Sequence, residues 1–269
     1  MNFKTLYPLT PKSVVYAPLT FRMGLEFLRD APEASLNGIR DLAQYAGIAD
    51  GAVRTALSRE RAAGLIESDK DGNGITRYRM ARRQFDMGLT TIGRENREGF
   101  LLAVFSFAEN EISERKAVRE TLKNYGFRKL APNTYINGEI ETGGLLASMR
   151  EFGLENSFYL FHCPDIDDPE LIRKILALFD IQGRSKELRK FLRDMVSFLS
   201  EGGIGGDEKA RRILYLAPLH YEIGHVNEFP IPAKYLPPDY ALDEIHRYFK
   251  EFVESHRVPL RSYYDRVNR

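Results

Sequence analysis

The sequence predicts an α+β chain of more than one domain, and three patterns predict it. Within the first 90 residues, apolar side chains at helical spacing are followed by a strong β-hairpin signal. From Phe100 a short apolar run suits a buried strand, with helical spacing and further strand-like pieces after it. Residues 167–269 carry three amphipathic stripes. A chain of 269 residues with 43% hydrophobic content can bury two or three modest cores, because domains run to about 100–150 residues. The division expected is 1–90, 91–166 and 167–269.

In the first part, Phe21, Leu25 and Leu28 recur at helical spacing over Leu19 to Arg29, and Pro32 ends the pattern. A second helix is expected from near Leu36, with Ile39, Leu42, Ala43 and Ala46 on one face, closed by Gly47. After the short connection Gly47-Ile48-Ala49, Asp50 is expected to cap a third helix reaching about Ala63, with Gly64 just past its end. Leu65–Ser68 and Ile75–Met80 flank Asp69–Gly74, whose Asp-Gly and Asn-Gly pairs signal a hairpin. Three helices and a hairpin in this order are a helix-turn-helix with a wing.

The third helix turns Val53, Ala56 and Leu57 inward and leaves Arg54, Thr55, Ser58 and Arg59 outward. Such a face suits the major groove, where arginine pairs bidentately with guanine and hydroxyls hold phosphates. Strand alternation in the hairpin sends Arg77 and Arg79 to one side and Tyr78 and Met80 to the other, with Lys70 at the turn. Residues 54–83 hold eight basic side chains, Arg54, Arg59, Arg61, Lys70, Arg77, Arg79, Arg82 and Arg83, against four acids, Glu60, Glu67, Asp69 and Asp71. The DNA contacts expected are therefore Arg54, Thr55, Ser58, Arg59, Lys70, Arg77 and Arg79, on double-stranded operator DNA. An ordinary solvated face is the competing reading.

Beyond the first part, Phe100 to Phe107 reads as a strand, Glu114 to Tyr125 as a helix, Tyr135 and Ile136 as a strand after the Pro132-Asn133 turn, Leu145 to Phe152 as a helix and Phe158 to Phe161 as a strand. That is a small α/β sandwich. The stripes that follow are Leu171, Ile172, Ile175, Leu176 and Phe179, then Leu188, Phe191, Leu192, Met195 and Leu199, then Leu242, Ile245, Phe249, Phe252 and Val253. Each is a core face or a dimer seam, and a homodimer reading paired half-sites is expected to use at least one.

Gly51-Ala-Val-Arg-Thr-Ala-Leu-Ser-Arg59, Ala63-Gly-Leu-Ile-Glu67 and Thr76-Arg-Tyr-Arg-Met80 resemble the PaaX family of phenylacetic acid catabolism repressors. Phe100-Leu-Leu-Ala-Val-Phe-Ser106 and Arg119 to Phe127, running on to Tyr135-Ile136, look like the family's central ferredoxin-like domain. Ile231-Pro-Ala-Lys-Tyr-Leu-Pro-Pro-Asp-Tyr240 is similar to its proline-rich approach to the last helix. The family usually carries tryptophans in its central and C-terminal parts, and this chain has none. The resemblance implies a winged helix-turn-helix, a central ferredoxin-like α/β sandwich and a mainly helical C-terminal effector or dimerisation region. It also implies repression released by an acyl-CoA effector such as phenylacetyl-CoA. The alternative, implied by a kinship of the central domain with the CRISPR-associated spacer-acquisition protein, is a metal-dependent nuclease, with Ser106-Phe-Ala-Glu109 where some of those enzymes place an aspartate.

Other patterns exclude more than they assert. Lys and Arg number 39 against 38 Asp and Glu, so any basic surface is local. The single cysteine, Cys163, rules out an intramolecular disulfide and suits a cytoplasmic location. No stretch approaches the roughly 20 apolar residues of a membrane span, so no membrane contact is expected. Glu109 and Glu111 are expected to be solvated rather than to hold magnesium. His220-Tyr-Glu-Ile-Gly-His225 has the wrong spacing for a zinc helix, and His162 and Cys163, neighbours on a strand, point to opposite sides. Gly202–Gly206 reads as a connector, and Arg211 and Arg212 as solvated cations unless they meet the phosphates of a coenzyme A ligand. Neither a catalytic residue, a cofactor nor a metal is expected.

Overall fold

The structure is a computed structural model that describes residues 2–20, 33–81, 99–107, 112–154, 157–223 and 231–269. The chain is α+β with two antiparallel sheets. Its contacts divide it into two compact units, Met1–Gly93 with Leu188–Asn227 and Ala241–Arg269, and Arg94–Glu187 with Glu228–Tyr240. Residues 167–269 are thus shared between the units instead of standing as a third. The reason is packing: their apolar stripes have no core of their own and are buried against the earlier parts of the chain.

In the first unit a short α1 (Phe3–Leu6) precedes α2 (Pro11–Thr20). The expected helix over Leu19 to Arg29 lies mostly outside the described residues, while α2 was not foreseen. Its start is nonetheless orthodox, because Pro11 fits a first helical position and Thr10 Oγ1 accepts the Ser13 N–H at 3.0 Å. A three-residue strand, β1 (Glu33–Ser35), leads directly into α3 (Leu36–Tyr45). Ser35 caps α3 by accepting from the Gly38 N–H at 3.2 Å, and Ile39, Leu42 and Ala43 are buried as expected. Gly47, at φ 72°, turns the chain into α4 (Asp50–Ala62). Asp50 does not cap α4; the capping position is Ala49, which makes no side-chain bond, and the Asp50 carboxylate is spent on two arginines.

The hairpin consists of β2 (Ile66–Lys70) and β3 (Thr76–Met80). Asp71 builds its turn, for its Oδ1 accepts the N–H groups of Asn73 at 2.9 Å and Ile75 at 3.0 Å. Strand β1 adds to the outer side of β3, giving the order β1-β3-β2, with Ala34 and Ser68 both opposite Tyr78.

The second unit holds β4 (Phe100–Phe105), α5 (Ile112–Asn124), β5 (Arg128–Ala131), β6 (Thr134–Gly138), α6 (Gly143–Glu151), β7 (Phe158–Cys163) and α7 (Pro169–Leu178). Strand β5 was not foreseen, so the order is strand, helix, two strands, helix, strand. Its sequence Arg-Lys-Leu-Ala carries no apolar alternation; the partner across the Asn133 turn, itself at φ 55°, recruits it. The sheet order is β5-β6-β4-β7. One face packs Leu101, Ala103, Phe105 and Phe158 with Val118, Leu122 and Leu145 of α5 and α6. The other packs Phe100 and Ile136 with Ile175 and Phe179.

The remaining helices are α8 (Ile181–Ser200), α9 (Gly206–Tyr221), α10 (Leu242–Ser255) and α11 (Arg257–Val267). In the first unit α9 packs on α2, α3, α10 and α11, and α11 also packs on α3. The stripes read as core or dimer seams are buried within the chain: Leu188, Phe191, Met195 and Leu199 on α8, and Ile245, Phe249 and Val253 on α10. Ile175 on α7 and Phe179 just past its end are buried. Leu171, Ile172 and Leu176 of α7, Leu192 of α8 and Leu242 and Phe252 of α10 are only partly buried.

Candidate nucleic-acid interface

Helix α4 presents its polar face to solvent. Val53, Ala56 and Leu57 are buried, which sends Arg54, Thr55, Ser58, Arg59 and Arg61 to the exposed side. Thr55 Oγ1 donates back to the Gly51 carbonyl at 2.8 Å. Asp50, at the start of the same face, accepts from Arg54 Nε at 2.8 Å and from Arg40 Nη2 at 3.0 Å. The hydrogen bonds from Arg40 and then Arg54 hold its carboxyl down to about 2. Arg54 is therefore exposed but pre-positioned, its guanidinium bonded to a carboxylate that stands one helical turn earlier.

The acid interleaved with the α4 arginines faces the other way. Glu60 Oε2 accepts from the Tyr16 hydroxyl at 2.5 Å and lies 3.5 Å from Lys12 Nζ, both on α2. Arg59 and Arg61 are left exposed with no ion pair among the described residues. Gly64, at φ 69°, ends the helix in a conformation that favours glycine.

The hairpin departs from expectation. Arg77 is half-buried; its Nε donates to Asp71 at 2.9 Å, Nη2 lies 2.8 Å from the same carboxylate, and Nη1 reaches the Asn268 carbonyl. Arg79 lies between three carboxylates, Asp69 at 2.7 Å, Glu67 at 3.2 Å and Glu33 at 3.5 Å. The Asp69 hydrogen bond is the main cause of its raised pKa. Both arginines, expected to face a phosphate backbone, are neutralised by their own sheet. Lys70 remains exposed without an ion pair among the described residues. Arg82 and Arg83 lie outside the described residues. Over residues 50–81 six basic side chains meet five acidic ones, so the cations available to an anion gather on α4 rather than on the hairpin.

Behind α3 is a group that sequence reading missed. Asp41 accepts two bonds from Arg211 of α9, both at 2.9 Å, and one from the Tyr263 hydroxyl of α11. Burial raises the Asp41 pKa, but the hydrogen bonds from Arg211 and Tyr263 outweigh it, and the net shift is downward. Arg212 is buried, donating to Glu208 at 3.0 Å, to Glu201 at 2.6 Å and to the Phe198 carbonyl. Arg212 is not the solvated cation expected, and Arg211, partly exposed, is held by Asp41. The signal available in sequence was the helical row Ala210, Ile213, Leu214 and Leu216, which marks α9 as buried on one side.

Of the remaining motifs, Glu109, Glu111 and His225 lie outside the described residues. His220 Nε2 meets His246 Nδ1 of α10 at 2.7 Å and its ring stacks on Phe249. His162, partly exposed and opposite Leu101, lies 3.4 Å from Glu139, while Cys163 packs on the Phe100 side of the sheet. Among the described residues no three His, Cys, Asp or Glu side chains gather as a metal site, and no helix is long and apolar enough to cross a membrane.

No family model matches the chain, and no curated protein matches it. Among solved structures it is similar to the uncharacterized protein Rv0674 from Mycobacterium tuberculosis, at 16% identity and a TM-score of 0.59, over 94% of this chain and 98% of that one. The likeness is one of fold across nearly the whole of both chains.

Proposed function

We propose that the chain is a DNA-binding transcription regulator whose α2, β1, α3, α4, β2 and β3 form a winged helix-turn-helix. The observation that carries the reading is α4 itself: a helix entered through a Gly47 turn, buried on one side, and presenting Arg54, Thr55, Ser58, Arg59 and Arg61 on the other. Order supports it too. The strand order β1-β3-β2 beside three helices fits a winged helix, and βαββαβ with order β5-β6-β4-β7 fits a ferredoxin-like domain. Arg54 and Arg59 read base edges, Thr55 and Ser58 hold phosphates, and Lys70 at the wing touches the backbone.

The PaaX resemblance extends the proposal to a cytoplasmic homodimeric repressor of an aromatic or related catabolic operon, released by an acyl-CoA. An inducer of this kind must bind the DNA-incompetent state more tightly. The test is retardation of the DNA upstream of the chain's own gene, in magnesium, with a scrambled duplex as competitor. Selective retardation with intact DNA is the expected result. Cleavage, or equal affinity for both duplexes, overturns it.

A further inference from the structure

The last turn of α11 reaches four elements of the proposed reading head. The Tyr264 hydroxyl lies 3.0 Å from the Pro18 carbonyl of α2 and 2.6 Å from the Glu33 carbonyl of β1. One turn later Asn268, itself buried, accepts the Ser35 N–H on Oδ1 at 2.7 Å and lies 3.3 Å from the Ser35 hydroxyl. Its Nδ2 donates to the Tyr264 carbonyl at 2.8 Å, and its own carbonyl accepts from Arg77 of β3. The carboxamide lies against Gly38 in the first turn of α3, where a Cβ would come within 2.8 Å of its Cγ. Asn268 therefore joins the capping residue of α3 to the hairpin strand, and Arg77 carries the link on to Asp71 at the turn.

We infer that Asn268 is a positioning residue that latches α3 and the hairpin in the DNA-competent arrangement, so that movement of α11 changes operator affinity. This rests on the DNA-binding reading above. The chemistry favours a latch over a plain packing contact for two reasons. The groups joined are polar and buried, so each must find a partner in any state that excludes water. And Gly38, inside a helix where alanine is the better former, leaves room for the carboxamide and for nothing larger. The route to α11 from the rest of the unit is also present, through Arg211 and Tyr263 at Asp41 and through Arg266 at Asp207. A ligand that shifts α9 or α11 would thereby reach the head without touching α4.

The test compares full-length Gly38→Ala, Asn268→Ala, Asn268→Asp and the Gly38→Ala/Asn268→Ala double variant. It reads affinity for the upstream DNA by fluorescence anisotropy, with thermal unfolding and hydrogen exchange alongside. Gly38→Ala expels the carboxamide while leaving Ser35 and Asn268 chemically intact. It is expected to lower affinity at least tenfold with a melting temperature near the wild type's and faster exchange at Ser35. Asn268→Asp keeps the acceptor for the Ser35 N–H but loses the donor to the Tyr264 carbonyl, and is expected to retain more affinity than Asn268→Ala. The double variant removes the collision and the bonds together, and affinity is expected to remain low; recovery there would reduce Gly38→Ala to a steric effect and overturn the latch. Wild-type affinity in Gly38→Ala and Asn268→Ala, whatever their stability, also overturns it, while the DNA reading survives if Arg59→Ala loses binding in the same assay. A wild-type chain that shows no selective binding rejects the DNA reading first, and the latch with it.

Discussion

Asp50 and Arg54 stand one helical turn apart on α4, with the arginine Nε 2.8 Å from the carboxylate Oδ2, and the same carboxylate holds Arg40 of α3. On a helix proposed to face DNA an acid lowers the attraction for phosphate, yet it fixes two guanidinium groups that would otherwise sample many rotamers. Orientation of a guanidinium separates guanine recognition from a generic charge contact.

Replacing Asp50 with Asn should therefore trade discrimination for attraction. Affinity for a scrambled duplex is expected to rise, the dependence of log K on log salt to steepen by about one phosphate contact, and the preference for the upstream DNA to shrink. Anisotropy titrations at several salt concentrations measure all three. A variant that keeps its preference would remove Asp50 from any part in orientation.

Arg59 bears the sharper expectation because no carboxylate among the described residues competes for it. Arg59→Ala should cost about 1–3 kcal/mol of binding if the side chain meets a base edge, with the loss concentrated on the upstream sequence. Arg61→Ala should weaken all duplexes alike, as a phosphate contact does. Competition binding with point-mutated duplexes distinguishes the two patterns.

On the hairpin the prediction runs in the opposite direction to ordinary scanning. Because Asp69 and Glu67 hold Arg79, Arg79→Ala should change DNA affinity little. Asp69→Asn with Glu67→Gln should strengthen it, and steepen its salt dependence, by freeing a cation. An affinity loss in Arg79→Ala of the size seen for Arg59→Ala would show that the arginine leaves its carboxylates when DNA arrives.

The Asp41 cluster predicts an acid-sensitive stability. Its folded pKa lies below the ordinary 3.8, so its contribution is complete above that value and is lost as pH falls through the lowered one. Asp41→Asn should be destabilised at neutral pH by about 1–2 kcal/mol, the cost of weakening a partly buried, doubly bonded ion pair. It should also lose less stability than the wild type between neutral and strongly acid solution. Urea unfolding at a series of pH values gives both numbers.

Much of the head was legible because its signals are local. Gly47 and Gly64 take up positive φ where a turn and a helix end were expected, and Val53, Ala56 and Leu57 are buried as a 3.6-residue period requires. The Asp71 turn follows from an Asp-Gly pair, and only its boundary moved. What escaped depends on partners distant in sequence. The Ser35 cap is completed by a residue 233 positions away, β1 is a strand only because β3 offers it an edge, and β5 forms for its neighbour's sake. The neutral hairpin arginines escaped for a related reason: a count of charges over a window says nothing of which pairs come within 3 Å. Arg211 and Arg212 read as solvated because two adjacent arginines normally are; the partner of Arg211, Asp41 of α3, is 170 residues away, and although Glu201 and Glu208 stand near Arg212 in sequence, its burial against the Phe198 carbonyl is set by packing.

The interleaving of the first unit bears on how the molecule comes into being. A ribosome delivers α2 through β3 early, but Asp41, Ser35 and Arg77 wait for Arg211, Tyr263 and Asn268, which emerge some 170 to 230 residues later. Until then the nascent head carries an uncapped apolar flank, and the second unit, nearly continuous in sequence, is placed to close first. Order of synthesis thus opposes order of assembly: the segment proposed to read the operator is among the first made and the last completed.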